Sequence, residues 1–284
     1  MKIYVLIATI DEGICKVPAV LLPEEAGVRY VVSWQQTEAE TSMNGRMQEA
    51  MSEAEAKLRA RHDIIVTTLK GRGLCRNRNH SIATALDDLD NPLEDAIFVI
   101  ADDDEQIMPE AFERLRTTYG RYPKMDGALM RLRSSMNGQY FKSYPEKLVA
   151  YGRHPKSYYA CSWEMTFRAR VWQTGIHFDE RFGLGSEQLC AGEEEVLLTD
   201  MLRKGLRVLI VPEDIGYTDP VTTGDKVLDA KVLRSKGAVY GYQLSYVRAL
   251  LRGLREALSL GMKKHRNPLP LFREIMSGIK YIRS

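Results

Sequence analysis

The sequence predicts an α/β fold in which a mostly parallel sheet is flanked by helices and followed by a basic helical extension. Apolar runs alternate with stretches of helical period through the first half of the 284-residue chain, as expected of repeated βαβ units. One run, at residues 97–101, ends in three aspartates, and such sheets bind ligands at the carboxyl ends of their strands. From Ala230 onwards the pattern is helical and basic.

The elements follow from β-branched runs, helical periodicity and breaks at glycine or proline. Strands are predicted at residues 3–8, 29–34, 63–69, 97–101, 125–132, 158–168 and 208–211. Helices are predicted at residues 45–61, 76–89 and 193–205, with a further one starting near Pro109. Pro18 and Pro23 leave room only for a short helix between the first two strands.

Composition indicates a soluble globular protein with a domain at residues 1–225 and a helical extension at 226–284. No window approaches 18 continuous apolar residues, so no transmembrane helix is expected. The N-terminus lacks the long apolar core of a signal peptide and is interpreted as a first strand. Four scattered cysteines without a C-x-x-C pair fit reduced thiols in a cytoplasmic protein, and a zinc site is not expected.

Charge is distributed unevenly along the chain. The segment from Lys226 to the end holds 13 basic and three acidic residues, a net charge of +10, whereas the preceding part holds 27 basic and 35 acidic residues, a net charge of −8. The tail therefore favours an anionic partner. Nucleic acid is not expected, because aromatic residues do not alternate with the basic ones.

Two apolar faces of helical period lie in this tail. One comprises Val247, Leu250, Leu251, Leu254 and Leu258, and the other comprises Leu271, Phe272, Ile275, Met276 and Ile279. Two interpretations stay open. The faces lie on an anionic membrane, as a peripheral attachment to its inner surface. Alternatively, they pack against the catalytic domain or a second copy in a homo-oligomer.

The aspartate triplet Asp102, Asp103 and Asp104 predicts a cation site. Like charges this close repel one another unless something neutralises them, and oxygen-only ligands favour Mg²⁺, Mn²⁺ or Ca²⁺ over zinc. Asp102 and Asp104 are expected on the same side of an extended backbone, where both address one ion. The alternative is that the acids cap the following helix.

A second acid cluster follows a glycine-rich segment at residues 178–185. Gly192 is followed there by Glu193, Glu194 and Glu195, at the predicted start of a helix. The alternative interpretation is again helix capping, because the helix dipole stabilises carboxylates at this end. Paired with the aspartates, however, one acid set would hold a cation and the other would take a proton from a nucleophile.

Together these motifs resemble those of family 2 glycosyltransferases with the GT-A fold, a Rossmann-like fold of nucleotide-diphospho-sugar transferases. The spacing is also similar: Pro109 lies seven residues after Asp102, and Gly205 lies thirteen residues after Gly192. The resemblance spans roughly residues 1 to 220 and rests on several ordered motifs.

The resemblance implies an inverting, metal-dependent enzyme. Asp102 and Asp104 match the D-x-D pair that binds Mn²⁺ or Mg²⁺ across the two phosphates of a nucleotide-sugar, with Asp104 as the direct ligand. Glu194 falls where the family has its catalytic base, normally an aspartate, although Glu193 or Glu195 could serve. A UDP-sugar donor is favoured, with a hydroxyl of a glycan or lipid-linked acceptor, in the assembly of cell-surface polysaccharide.

Donor contacts are expected from several further positions that match the family. The residues after the first strand, expected at the nucleotide base, are Ala8, Thr9 and Asp11. Trp34 either stacks on the base or packs in the core. The residues expected at the diphosphate, together with Asp102 and Asp103, are Arg76, Arg78 and Asn79; the alternative for these three is a solvated helix start. Asp219 lies where some members add a metal-binding histidine.

Two rival functions remain. A nucleotidyltransferase that makes nucleotide-sugars would carry a glycine-rich, basic phosphate loop after the first strand, and residues 7–12 lack one. A non-catalytic, membrane-associated assembly factor would have no need for two carboxylate sets.

Overall fold

The structure, a computed structural model, describes residues 1–38, 45–89, 95–140, 142–218 and 227–284. The chain forms two compact units. The first comprises Met1–Arg72, Arg76–His177 and Asp200–Pro220, and the second comprises Gly73–Cys75, Phe178–Thr199 and Val221–Ser284. The predicted boundary between residues 225 and 226 lies outside the described residues. The glycine-rich segment, predicted within the first domain, belongs to the second unit.

A nine-stranded sheet forms the first unit within the described residues. Its strands are β1 (Lys2–Ile10), β2 (Val28–Gln36), β3 (Ile64–Lys70), β4 (Ala96–Asp102), β5 (Gln106–Ile107), β6 (Gly127–Ser134), β7 (Val149–Ala150), β8 (Met165–Arg168) and β9 (Val208–Thr218). They lie in the order β3-β2-β1-β4-β8-β6-β9-β5, with β7 paired to β9. Strands β3, β2, β1 and β4 are parallel, as are β6 and β9. The predicted α/β fold with its mostly parallel sheet is confirmed.

The helices are placed as their apolar periods predict. They are α1 (Val17–Val20), α2 (Gly45–Arg59), α3 (Leu74–Asp87), α4 (Ala111–Arg121) and α5 (Glu193–Arg203). In α2 the buried residues are Met51, Ala54 and Leu58, which recur at intervals of three and four residues along one face of the helix. Central strands β1 and β4 are buried almost throughout, because a parallel sheet covered on both faces leaves no side of the strand in water.

Two strand predictions need correction. Residues 158–161 are not a strand: a 3-10 helix, Ser162–Glu164, precedes β8, which is only four residues long. A local side-chain contact accompanies this turn, since the Tyr158 hydroxyl donates to the buried Glu164 carboxylate six residues later (2.6 Å). Strand β9 runs to Thr218 instead of ending at Val211, because β6 and β5 pair along its second half.

Three helices follow in the second unit: α6 (Ala230–Gln243), α7 (Tyr246–Lys264) and α8 (Pro268–Arg283). Helices α6 and α8 approach through glycines. A Cβ on Gly237 would lie 1.9 Å from the Ile275 carbonyl oxygen, and one on Gly278 would lie 1.9 Å from that of Arg234. No helix of the described part of the chain combines the length and hydropathy needed to cross a membrane.

The two apolar faces of the tail have different environments. On α8, Ile275 and Ile279 are fully buried and Leu271, Phe272 and Met276 pack around the same cluster. On α7, Leu250 packs partly against that cluster, but Val247, Leu251, Leu254 and Leu258 are exposed. Apart from Leu250, the α7 face therefore does not pack on the described part of its own chain, which leaves a membrane or a second copy as its occupant.

Candidate active site

The carboxyl ends of β1 and β4 meet and bring the predicted residues together. In the parallel register Ala8 stands beside Asp102. At the next residue of each segment, the Thr9 hydroxyl donates to the Asp103 Oδ2 (2.6 Å). The Lys16 ammonium lies 3.3 Å from the Oδ1 of the same carboxylate. Asp103 thus ties the two strand ends together, while Ala8 is buried and contributes backbone only.

A glycine permits this contact. A Cβ on Gly13 would lie 2.3 Å from the Asp103 Oδ2 and 2.5 Å from the Thr9 Oγ1. Neither atom belongs to a long side chain that could move aside. Gly13 lies in the 3-10 helix Asp11–Cys15 directly after β1. The turn can pass this close to the paired strand ends only because it has no side chain here.

The expectation that Asp102 and Asp104 share one side of an extended backbone is wrong. Strand β4 ends at Asp102, and Asp103 and Asp104 form a turn. Strand alternation therefore stops before Asp104. Asp104 is exposed as a residue, yet partial desolvation of its carboxyl group raises its pKa, and the charges of Asp102 and Asp103 add to the rise. An added cation would relieve this repulsion.

Arg78 is buried behind the aspartates, with 1% of its surface exposed. Its guanidinium donates to the Asp102 Oδ1 (3.1 Å) and to the Ser162 hydroxyl (2.7 Å). The predicted contact of Arg78 with a diphosphate is therefore corrected: this side chain positions Asp102. Arg76 is exposed and Asn79 half-buried in the first turns of α3, where the prediction of a diphosphate contact stands for both.

Asn77, which the sequence did not single out, joins three elements. Its amide donates to the Thr9 carbonyl (2.9 Å) and accepts from the Ser33 hydroxyl (2.5 Å). Ser33 also lies 2.9 Å from the His80 Nδ1. Burial lowers the pKa of His80, and the nearby Arg76 charge lowers it further. In the sequence, the one indication of this bridging role is the position of Asn77, a polar residue in the first turn of a helix that follows a strand.

Asp11 and Trp34 close the loop between β1 and β2. The Asp11 carboxylate accepts from the Thr37 backbone N–H (2.8 Å) and hydroxyl (2.7 Å), and the Asp11 carbonyl accepts from the Trp34 indole N–H (2.9 Å). Both residues are buried, with Trp34 only 3% exposed in the core. Of the two interpretations of Trp34, packing in the core is therefore the one that the structure supports. The predicted contact of Asp11 with a base is corrected, because its carboxylate shapes the loop instead.

A cavity of about 1020 Å³ opens beside this loop, at the carboxyl ends of β2 and β3. Most of the residues that line it are polar, but the surface they present to the cavity is mostly apolar. The lining residues are Trp34, Gln36, Thr37, Glu38, Gln48, Met51, Ser52, Lys70, Gly71 and Arg72. Lys70 and Arg72 are exposed cations, so the cavity offers both apolar surface and positive charge. That combination suits a nucleotide.

No group of three or more His, Cys, Asp or Glu residues is placed to hold a metal ion among the residues described. An all-protein metal cage is therefore not present there. Mg²⁺ and its analogues commonly take only one or two protein carboxylates and complete their shell with phosphate oxygens and water. Asp102 and Asp104 would supply that smaller donor set, because both carry carboxylates at the end of β4 and Asp104 is exposed to an arriving ligand. Asp219 lies outside the described residues.

Glu105 adds a fourth carboxyl group, for which the sequence suggests only helix capping. It is buried, and its Oε2 has no hydrogen-bond partner in the described part of the chain. Burial raises its pKa well above the ordinary value, and the charge of Asp102 adds to the effect. The acidic edge, which we define as Asp102 to Glu105, thus holds four carboxyl groups beside the two cations Arg78 and Lys16.

The second acid cluster lies in the second unit, at the start of α5. Gly183 and Gly192 both have left-handed backbone, with φ of 88° and 98°, so the glycines are required by the turns on either side of the loop. A Cβ on Gly183 would lie 3.4 Å from the Glu193 carboxyl carbon, so the loop backbone lies against that side chain. Glu193 is buried, whereas Glu194 and Glu195 are half-exposed.

Comparison with known proteins supports the fold. The α/β arrangement is similar to that of S. aureus TarS, a staphylococcal wall teichoic acid glycosyltransferase of known structure, with a TM-score of 0.54 and 14% sequence identity. The match covers 92% of this chain and 44% of the TarS chain, so the chain spans less than half of that protein. No protein-family model matches the sequence, and no curated protein matches it either.

Proposed function

We propose that this chain is an inverting, metal-dependent glycosyltransferase of the family 2 type, which transfers a sugar from a UDP-sugar to a hydroxyl of a glycan or lipid-linked acceptor. The observation that carries the proposal is the acidic edge, at the joined ends of β1 and β4. It occurs on a fold shared with TarS. Its natural ligand is a cation that arrives with a diphosphate.

The donor would lie along the carboxyl ends of β1, β2 and β4. Its nucleoside would occupy the cavity beside Trp34 and Thr37, where apolar surface would face the base and polar side chains would hydrogen-bond to the base and ribose. Arg76, exposed at the start of α3, would face the diphosphate. Arginine is well suited to that contact, because its guanidinium donates to phosphate oxygens in a fixed geometry.

Asp102 and Asp104 would hold Mn²⁺ or Mg²⁺ jointly with the donor phosphates. Such an ion, when bound, supplies positive charge to the departing diphosphate. Arg78 contributes by fixing Asp102 through a guanidinium contact at 3.1 Å. Asp103 is already engaged with Thr9 and Lys16, so its role is to keep the two strand ends together.

Glu194 is our candidate for the general base, which takes a proton from the acceptor hydroxyl as that oxygen attacks the sugar. Attack on the face opposite the leaving group inverts the configuration at the anomeric carbon. Glu194 is preferred to Glu193 because it is half-exposed, whereas Glu193 is buried against the glycine loop. We also propose a place in cell-wall or other surface polysaccharide assembly, which the fold shared with TarS supports, and a location on the cytoplasmic side of the membrane.

A thermal-shift panel of nucleotide-sugars with and without Mn²⁺ tests the proposal. A ligand that binds only the native state raises the melting temperature, so UDP-sugars with Mn²⁺ should stabilise the wild type. Asp104→Ala should lose the metal-dependent part of that shift. Asp87→Ala, an exposed aspartate at the end of α3, is the matched control and should respond as wild type does.

Two results would contradict the proposal. If Asp104→Ala and Asp87→Ala gave the same response to UDP and Mn²⁺, the acidic edge would not hold the ion. If no nucleotide-sugar stabilised the wild type while nucleoside triphosphates did, the nucleotidyltransferase alternative would be favoured instead.

A further inference from the structure

Helix α7 carries a line of large apolar side chains on its exposed side. The α7 stripe, as we define it, comprises Val247, Leu251, Leu254, Leu258 and Met262. These residues recur at intervals of three or four, so they lie along one face of the helix. Val247, Leu251 and Met262 are 64%, 63% and 73% exposed. The helix of 19 residues is roughly 28 Å long, and the stripe extends over most of it.

The opposite face explains why the large side chains are outside. Helix α7 packs on its neighbours through small residues, Ala249, Gly253 and Ala257, all buried. A Cβ on Gly253 would lie 2.7 Å from the Ile275 side chain. Helix α7 is therefore in close contact with its neighbours on the face that carries these small residues. Rotating the helix to bury the stripe would replace these close contacts with side chains that do not fit.

Exposed cations lie along one side of the stripe. The basic edge, as we define it, comprises Arg248, Arg252, Arg255 and Lys263, all exposed. The acid of this helix, Glu256, is paired with Lys236 at 3.1 Å. A surface of apolar side chains bordered by cations thus occupies the outer half of α7.

We propose that the outer face of α7 docks on an anionic lipid bilayer, with the stripe in the acyl boundary and the basic edge at the headgroups. A helix with this division of apolar and cationic residues lies in the plane of the membrane surface. Each cation near an anionic surface strengthens binding, and salt screens that part. This docking depends on α7 alone and does not require the transfer reaction.

A second copy of the chain is a poorer occupant. Two copies that paired this face about a two-fold axis would use the same patch on both sides. The two basic edges would then border one interface, where like charges oppose association. An anionic bilayer supplies apolar volume for the stripe and negative charge for the edge at the same time.

Vesicle co-sedimentation tests the proposal with the full chain. Vesicles of phosphatidylcholine alone are compared with vesicles that also contain phosphatidylglycerol, at low and high salt. Leu251→Ser with Leu258→Ser, and separately Arg248→Glu with Arg255→Glu, should each weaken binding to the anionic vesicles by about tenfold or more. Both variants change exposed side chains, so their melting temperatures should stay close to that of the wild type.

Matched controls come from exposed residues elsewhere. Met136→Ser with Leu148→Ser removes two exposed apolar side chains, and Arg121→Glu with Lys124→Glu reverses two exposed cations. Both should leave vesicle binding unchanged. If a control weakened binding as much as the matching α7 variant, the assignment to α7 would be overturned.

Three further results would overturn the proposal. They are wild-type binding no stronger on anionic than on neutral vesicles, no binding to either, and α7 variants that bind like wild type. Sedimentation velocity adds a fourth. If the wild type were a dimer that Leu251→Ser with Leu258→Ser made monomeric, the occupant of the face would be a second copy.

Discussion

The acidic edge and the outer face of α7 are both charged surfaces, but they are built in opposite ways. At the acidic edge, carboxylates lie close together in front of a buried arginine, and burial and mutual repulsion raise the pKa of Asp104 and Glu105. On α7, cations are spread along an open helix beside exposed apolar side chains. The first arrangement suits one small ion in a fixed place, and the second suits an extended, fluid surface.

The contrast also separates two ways in which a ligand can be recognised. A fixed ion site needs support from within, which Arg78, Ser162 and Asn77 provide through hydrogen bonds. A lipid surface needs no such support, and the α7 stripe consists of apolar side chains, which have no polar atoms to fix in place. Substitutions should therefore have large, local effects at the first surface and graded effects at the second.

The largest effect is expected at the proposed base. Glu194→Gln should lower the transfer rate by about 10² to 10⁴-fold, since the amide cannot take a proton, while the melting-temperature shift with UDP and Mn²⁺ persists. Glu187→Gln, an exposed glutamate in the preceding loop, should retain full activity. A transfer assay on both variants checks this. Loss of activity in Glu193→Gln but not in Glu194→Gln would move the role to its neighbour.

Stability should distinguish the two apolar faces of the tail. Ile279→Ala on α8 removes a fully buried side chain and should cost about 2 to 5 kcal/mol of unfolding free energy. Leu251→Ala on α7 changes a side chain that is mostly exposed and should stay within about 0.5 kcal/mol. Urea denaturation measures both. Equal losses would mean that α7 packs through its leucines in solution.

Gly13→Ala tests how tightly the strand ends are joined. The added Cβ would meet Asp103 and Thr9 at 2.3 and 2.5 Å, so the hydrogen bond between them should break, at a cost of about 1 to 3 kcal/mol. Gly120→Ala, where nothing lies within 4 Å of the new atom inside helix α4, should be neutral or stabilising by up to about 1 kcal/mol. If the two variants had equal free energies of unfolding, the close contact of Gly13 with Asp103 and Thr9 would be contradicted.

The smallest effect is a pH dependence from His80. Burial lowers its pKa below the ordinary value of 6.5, so above that pH the ring is neutral in both folded and unfolded chains. As the pH falls through 6.5 the unfolded chain takes up the proton more readily, and stability decreases until the folded ring is protonated too. Melting temperatures of His80→Gln should fall less over this range than those of His62→Gln, which changes an exposed histidine.

Much of the fold followed from local patterns. Buried strands and amphipathic helices leave a period in the sequence, and the acid triplet is contiguous, so the end of β4 was recognisable as a site. Two features could not be predicted from the sequence. Which face of α7 is buried depends on the close contact of its Gly253 with Ile275 of α8, which no periodicity reveals. The role of Arg78 also depends on how deeply its side chain is buried. An arginine that binds a phosphate and one that holds an aspartate look alike in sequence.

The most direct test of the proposed metal site is a crystal of the chain soaked with UDP and Mn²⁺, measured for anomalous scattering from manganese. We expect one peak within coordination distance of the Asp104 carboxylate, with the diphosphate against it and uracil in the cavity beside Trp34. Manganese bound elsewhere while the Asp102 to Asp104 carboxylates contact no ion would contradict the proposed site.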